Sequence, residues 1–96
     1  MATAYQTVAV RPDNLYVRAA LDRLREAPDD PDALVVMASW LLLSGKADRA
    51  LEYLHRVTTV APTYPGIWRV KAKAFEALGD ATSAEACRRR GSDRFS

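Results

Sequence analysis

The chain has a single cysteine, Cys87, and a single histidine, His55, among 96 residues. One cysteine excludes an intramolecular disulfide, and no CxxC or HxxxH spacing is present to hold zinc. A Cys–His nucleophile pair needs closeness and a third, orienting group. His55 and Cys87 fall on different expected helices with no glycine-rich loop between them, so no catalytic residue is expected. Asp29, Asp30 and Asp32 imitate the start of a calcium loop, but the later Gly and Glu are missing and helix capping accounts for them better. No metal or cofactor is expected.

Long apolar runs are also lacking. The longest spans Ala33 to Leu43, is bracketed by Asp32 and Ser44, and is interrupted by Ser39. It falls far short of the ~20 residues of a membrane span. Met1 to Arg11 do not pair a basic start with an apolar core, so no secretory signal is expected, and the absence of disulfides fits a cytoplasmic setting. Charge of one sign is scarce too: the formal net charge is +2. Dedicated nucleic-acid binders cluster a basic face, and here only Arg88-Arg89-Arg90 forms a run, at a helix end where cations favour the dipole. No nucleic-acid partner is expected.

What remains is an ordinary globular composition, 49% hydrophobic and 27% charged, enough for one small domain. Residues 1–12 lack a helical period and read as an extended arm. A domain over 13–96 follows. Asp13 is a candidate cap for a helix to Ala27, with Leu15, Ala19, Ala20, Leu21 and Leu24 on one side. Pro28 stops it. Asp30 and Pro31 suit the cap and first position of a second helix, which reaches Ser44, with Gly45 as a left-handed terminator. A third helix is expected from Ala47 to Val60, a fourth from Pro65 to Gly79, and a fifth from the Asp80 cap to near Gly91. No segment alternates as a strand does. The expected fold class is all-α.

At an offset of 34 the chain superposes on itself. Pro28 meets Pro62, Pro31 meets Pro65, Gly45 meets Gly79 and Ala50 meets Ala84. Ala38 meets Ala72, Leu34 meets Trp68 and Leu41 meets Phe75. This period and these residue types resemble the tetratricopeptide repeat. Repeat one covers 31–64 and repeat two begins at 65, preceded by a lone helix over 13–27. The small residues let antiparallel helices approach, while Leu34, Trp68, Leu41 and Phe75 fill the space between turns. Lys71 and Arg88 depart from the family pattern, which prefers Leu and an aromatic there. Both read as polar residues on the outer face of a terminal repeat. Trp40, large for its position, is expected to pack on the first helix.

The resemblance implies a short right-handed superhelix whose work is protein–protein interaction, as an adaptor or assembly factor. Carried over residue by residue, its groove takes Asp32, Val35, Ser39, Leu42 and Leu43 from repeat one. Repeat two gives Gly66, Arg69, Lys73, Glu76 and Ala77. Arg69 and Lys73 lie four apart on one helix face, which suits an acidic peptide. The asparagines that complete a carboxylate clamp in some members are replaced by Ser39 and Val70. Leu41, Leu42 and Leu43 cannot all face one core, so at least one of them is expected to be exposed on the groove side. Two and a half repeats leave an open edge, which a homodimer or the arm with Tyr5, Val8 and Val10 would cover. A small chaperone for a secreted or assembled subunit is a further alternative.

Overall fold

The computed structural model describes residues 14–93, and the expected arm and the Asp13 cap lie outside the described residues. The described chain is all-α and contains no strand. Its helices are α1 (Leu15–Glu26), α2 (Pro31–Leu43), α3 (Ala47–Val60), α4 (Ile67–Ala77) and α5 (Ala81–Asp93). None of them is long and apolar enough to cross a membrane.

Local chemistry sets most boundaries. The Asn14 carboxamide accepts the Tyr16 N–H at 2.7 Å and starts α1. The Asp30 carboxylate accepts the Ala33 N–H at 3.3 Å, and Pro31 fills the first turn of α2, where a missing N–H costs nothing. Gly45 and Gly79 close α2 and α4 with φ of 78°, a conformation that carries a steric penalty for any residue with a Cβ. Asp80 accepts both the N–H and the hydroxyl of Ser83, which holds its carboxyl below the usual carboxylate range.

Besides the start of α1, capped by Asn14 where Asp13 was expected, two boundaries differ from expectation. The fourth helix starts at Ile67, not Pro65, because Gly66 sits at φ 75° and cannot continue a right-handed turn. Pro65 and Gly66 belong instead to a turn closed by the Ile67 N–H on the Tyr64 carbonyl. The fifth helix passes through Gly91 and reaches Asp93. Gly91 is there for closeness: a Cβ on it would stand 3.3 Å from the Trp68 Cβ.

Each helix packs on the next. Turns of three or four residues join α1 to α2, α2 to α3 and α4 to α5, and such short links send consecutive helices antiparallel. The main core joins α2 to α5 through Leu34, Leu54, Val57, Ile67 and Trp68. Ala38, Ala50, Ala72 and Ala84 lie within it at 2% exposure or less, where only a methyl group separates neighbouring backbones. A smaller core holds α1 to α2 through Val17, Ala20, Ala33 and Met37. Leu24, Trp40 and Tyr53 pack against both.

Lys71 corrects the sequence reading. It does not lie on an outer face: it is 8% exposed, inside the α3–α4–α5 contact. Its ammonium donates to Thr58 Oγ1 at 3.3 Å and lies 5.0 Å from the centre of the Trp68 ring. Burial pushes its pKa below the ordinary lysine value.

Candidate protein-binding surface

The α2 and α4 helices each carry a stripe of candidate binding residues at helical spacing. On α2 these are Val35, Ser39 and Leu42, all half-buried, with Val35 and Leu42 packed against the main core. The leucine run divides as sterics require. Leu41 is 5% exposed and buried, Leu42 is half-buried, and Leu43 is 89% exposed. Asp32, in the first turn of α2, accepts a 2.6 Å hydrogen bond from the Tyr64 hydroxyl. That bond ties the loop before α4 to the start of α2. It also pushes the Tyr64 pKa up to about 12, with burial and the nearby carboxylate charges adding to the shift.

On α4 the stripe is Arg69, Lys73 and Glu76, all exposed. Glu76 is engaged, since Arg88 of α5 donates to its carboxylate. Arg88 also pairs with Glu85 at 3.2 Å, and the two carboxylates raise its pKa further. Arg69 and Lys73 have no carboxylate within ion-pairing distance among the described residues. No hydrogen bond or ion pair joins the α2 stripe to the α4 stripe among those residues. Gly66 holds the turn before α4, and Ala77, its last residue, is exposed.

The basic run is used within the fold. Arg88 bonds Glu76 and Glu85, Arg89 pairs with Glu85 at 3.5 Å, and Arg90 lies 4.5 Å over the Trp68 ring. Trp68 is thus flanked by two cations, Lys71 and Arg90, and its indole N–H donates to the Pro62 carbonyl at 3.2 Å. His55 is exposed, with its ring edge-on to Phe75 at 6.5 Å, and burial followed by the Lys71 charge lowers its pKa. Cys87 is buried, which pushes its thiol pKa up. Among the described residues no group of three His, Cys, Asp or Glu is placed to hold a metal ion.

One feature escapes a reading by spacing alone. A cleft of about 410 Å³ opens at the N-terminal end of α4, against the last turns of α5. Tyr64, Pro65, Trp68, Arg69, Arg88 and Gly91 are among its walls. The Pro65-Gly66 pair was its only sequence signal, because such a pair marks a turn and not a helix start. The α5 wall could not be found that way, since it depends on how α5 meets Trp68. Comparison of the chain with protein-family models, with curated proteins and with solved structures finds no match.

Proposed function

We propose that this protein is a non-enzymatic protein-interaction module of the tetratricopeptide type, an adaptor or assembly factor that receives a peptide or helix of another protein. The observation that carries the reading is Leu43, 89% exposed at the end of a helix whose neighbouring residues Val35, Ser39 and Leu42 are only half-covered. With Leu15 and Tyr16, exposed at the start of the antiparallel neighbouring helix, Leu43 belongs to an apolar patch rather than standing alone, and such a patch supports a partner there. Arg69 and Lys73 on α4, which have no carboxylate partner among the described residues, favour an acidic one. Four apart on a helix they repel mildly, and an anion laid between them relieves that repulsion.

The test is capture of a partner by the full chain with mass spectrometric identification, followed by affinity measurement with two variants. Leu43→Ser removes the apolar contact, and the pair Arg69→Glu with Lys73→Glu reverses the charge. Both are expected to weaken the identified complex without altering the helical circular dichroism spectrum. Rising salt should weaken the wild-type complex as well, since the charge term is exposed. Unchanged affinity in both variants rejects this surface.

A second reading is self-association. Leu15 and Tyr16, at the start of α1, are 77% and 78% exposed, and α1 runs antiparallel to α2, so they share one end of the stack with Leu43. A two-fold dimer through that end buries the same residues twice. Light scattering across a hundredfold dilution, with Leu43→Ser alongside, separates it: a constant monomer mass rejects the dimer.

A further inference from the structure

Resting on the peptide-binding reading, we propose that the cleft at the start of α4 is the anchor for an acidic segment of a partner protein. One apolar side chain enters against Tyr64, Pro65 and Trp68, and a neighbouring carboxylate meets Arg69.

The shape of the cleft comes first. Its volume of about 410 Å³ falls within the range of pockets that enclose small ligands or an anchoring side chain. Its floor is tied into the fold by several contacts. Trp68 is 8% exposed, is held through its indole N–H by Pro62, and is pressed by Gly91 from α5. Tyr64 is held by Asp32. A pocket whose walls are fixed before binding loses little entropy when a side chain enters it.

Charge decides the chemistry of the occupant. No carboxylate lines the cleft among the described residues, while two guanidinium groups do. They are not equivalent. Arg88 carries Glu76 and Glu85 as partners and contributes little net field. Arg69 has no such partner among the described residues, and Lys73 continues the positive charge one turn along α4. A segment with an apolar residue flanked by carboxylates therefore satisfies the wall and the cations together. Interfaces concentrate their binding energy in such seated anchors. The depression over Leu21, Leu24 and Tyr53 offers no equivalent, because Arg25 pairs with Asp22 and Arg56 with Pro28 and Asp29.

The experiment uses the full chain and a synthetic probe, the hexapeptide Ser-Asp-Glu-Phe-Asp-Ser, labelled with fluorescein at its N-terminus and amidated at its C-terminus. Binding is read by fluorescence anisotropy, and folding of every variant by circular dichroism. Saturable binding is expected. Serine in place of the phenylalanine, or amides in place of the three acids, should each weaken it about tenfold, the scale of one good contact. Arg69→Ala should do the same, and so should Thr63→Trp, which places a bulky ring on the rim. Arg49→Ala, an exposed cation on α3, should leave binding unchanged.

Absence of binding, indifference to the phenylalanine, indifference to Arg69→Ala, or an equal loss in Arg49→Ala overturns the proposal. A mass that rises with concentration and falls in Thr63→Trp puts a second copy in the cleft and overturns it too. A captured partner that Leu43→Ser releases but Thr63→Trp does not would leave the α2 surface as the binding site, so this inference alone would fall.

Discussion

The Lys71 ammonium donates to the Thr58 hydroxyl at 3.3 Å, joining α4 to α3 where the main core is otherwise apolar. The hydroxyl does not depend on this bond, since its one proton has the carbonyls of Leu54 and His55 as alternative acceptors. Lys71 carries the cost, because burial of its side chain gives up part of the cation's hydration for one hydroxyl and the Trp68 face.

Lys71→Met should therefore stabilise the protein at neutral pH, by about 1 kcal/mol after loss of the cation–π contact. The sign follows from linkage. The folded pKa lies below the ordinary 10.5, so above the folded pKa the unfolded chain binds more protons and stability rises with pH. That rise ends above 10.5, and the methionine variant lacks it. Urea unfolding at neutral pH and near pH 10 should show the advantage of the variant shrinking as pH rises. An advantage that grows with pH refutes the account.

Tyr64→Phe removes the bond to Asp32. Tyr64 is raised to about 12 in the folded chain, so its stabilising effect is present below its ordinary value of 10.0 and is lost as pH climbs through the folded value. The variant should lose up to about 1 kcal/mol at neutral pH, a modest figure because Asp32 is exposed. Ultraviolet titration of the native chain should show one tyrosine ionising late, and the variant should lack that step.

Ala50→Trp and Ala84→Trp should each destabilise severely. Both alanines are 0% exposed between helices, with no room for an indole. Overpacking of this kind costs about 1–3 kcal/mol or more, a large part of the margin of a small domain. Thermal melts followed by circular dichroism decide it, and unchanged midpoints would refute the assigned packing.

Two glycines should answer differently to alanine. Gly45→Ala forces a Cβ into φ 78°, where nothing obstructs the methyl but the backbone itself is strained, at about 1 kcal/mol. Gly91 has ordinary helical geometry, so alanine there gains helix propensity while the Trp68 Cβ at 3.3 Å must yield slightly. Gly91→Ala should shift the denaturation midpoint less than Gly45→Ala does.

Helices, turns and most caps could be read from the sequence because they depend on neighbours within about four residues. Asp30, Pro31, Gly45 and Gly79 act through their own backbone and side-chain chemistry, whatever lies opposite. The division of the leucine run was legible for the same reason, since successive residues on a helix point in different directions. The offset of 34 also marked out which alanines would face another helix, and all four are buried.

Tertiary structure decided what depends on a third element. Spacing placed Lys71 on a face of α4 but could not say that α3 and α5 would both close over it. Gly91 reads as a helix end in the sequence, and only the approach of Trp68 makes it a point of contact inside α5. Glu76 reads as a free groove residue until Arg88 reaches it across the helix pair. The cleft exists only because the Pro65-Gly66 turn, Trp68 and the last turns of α5 converge. The reason is common to all four. A helical period defines which residues share a face, whereas the helix that covers that face, and how closely, is set by packing between segments far apart in the chain.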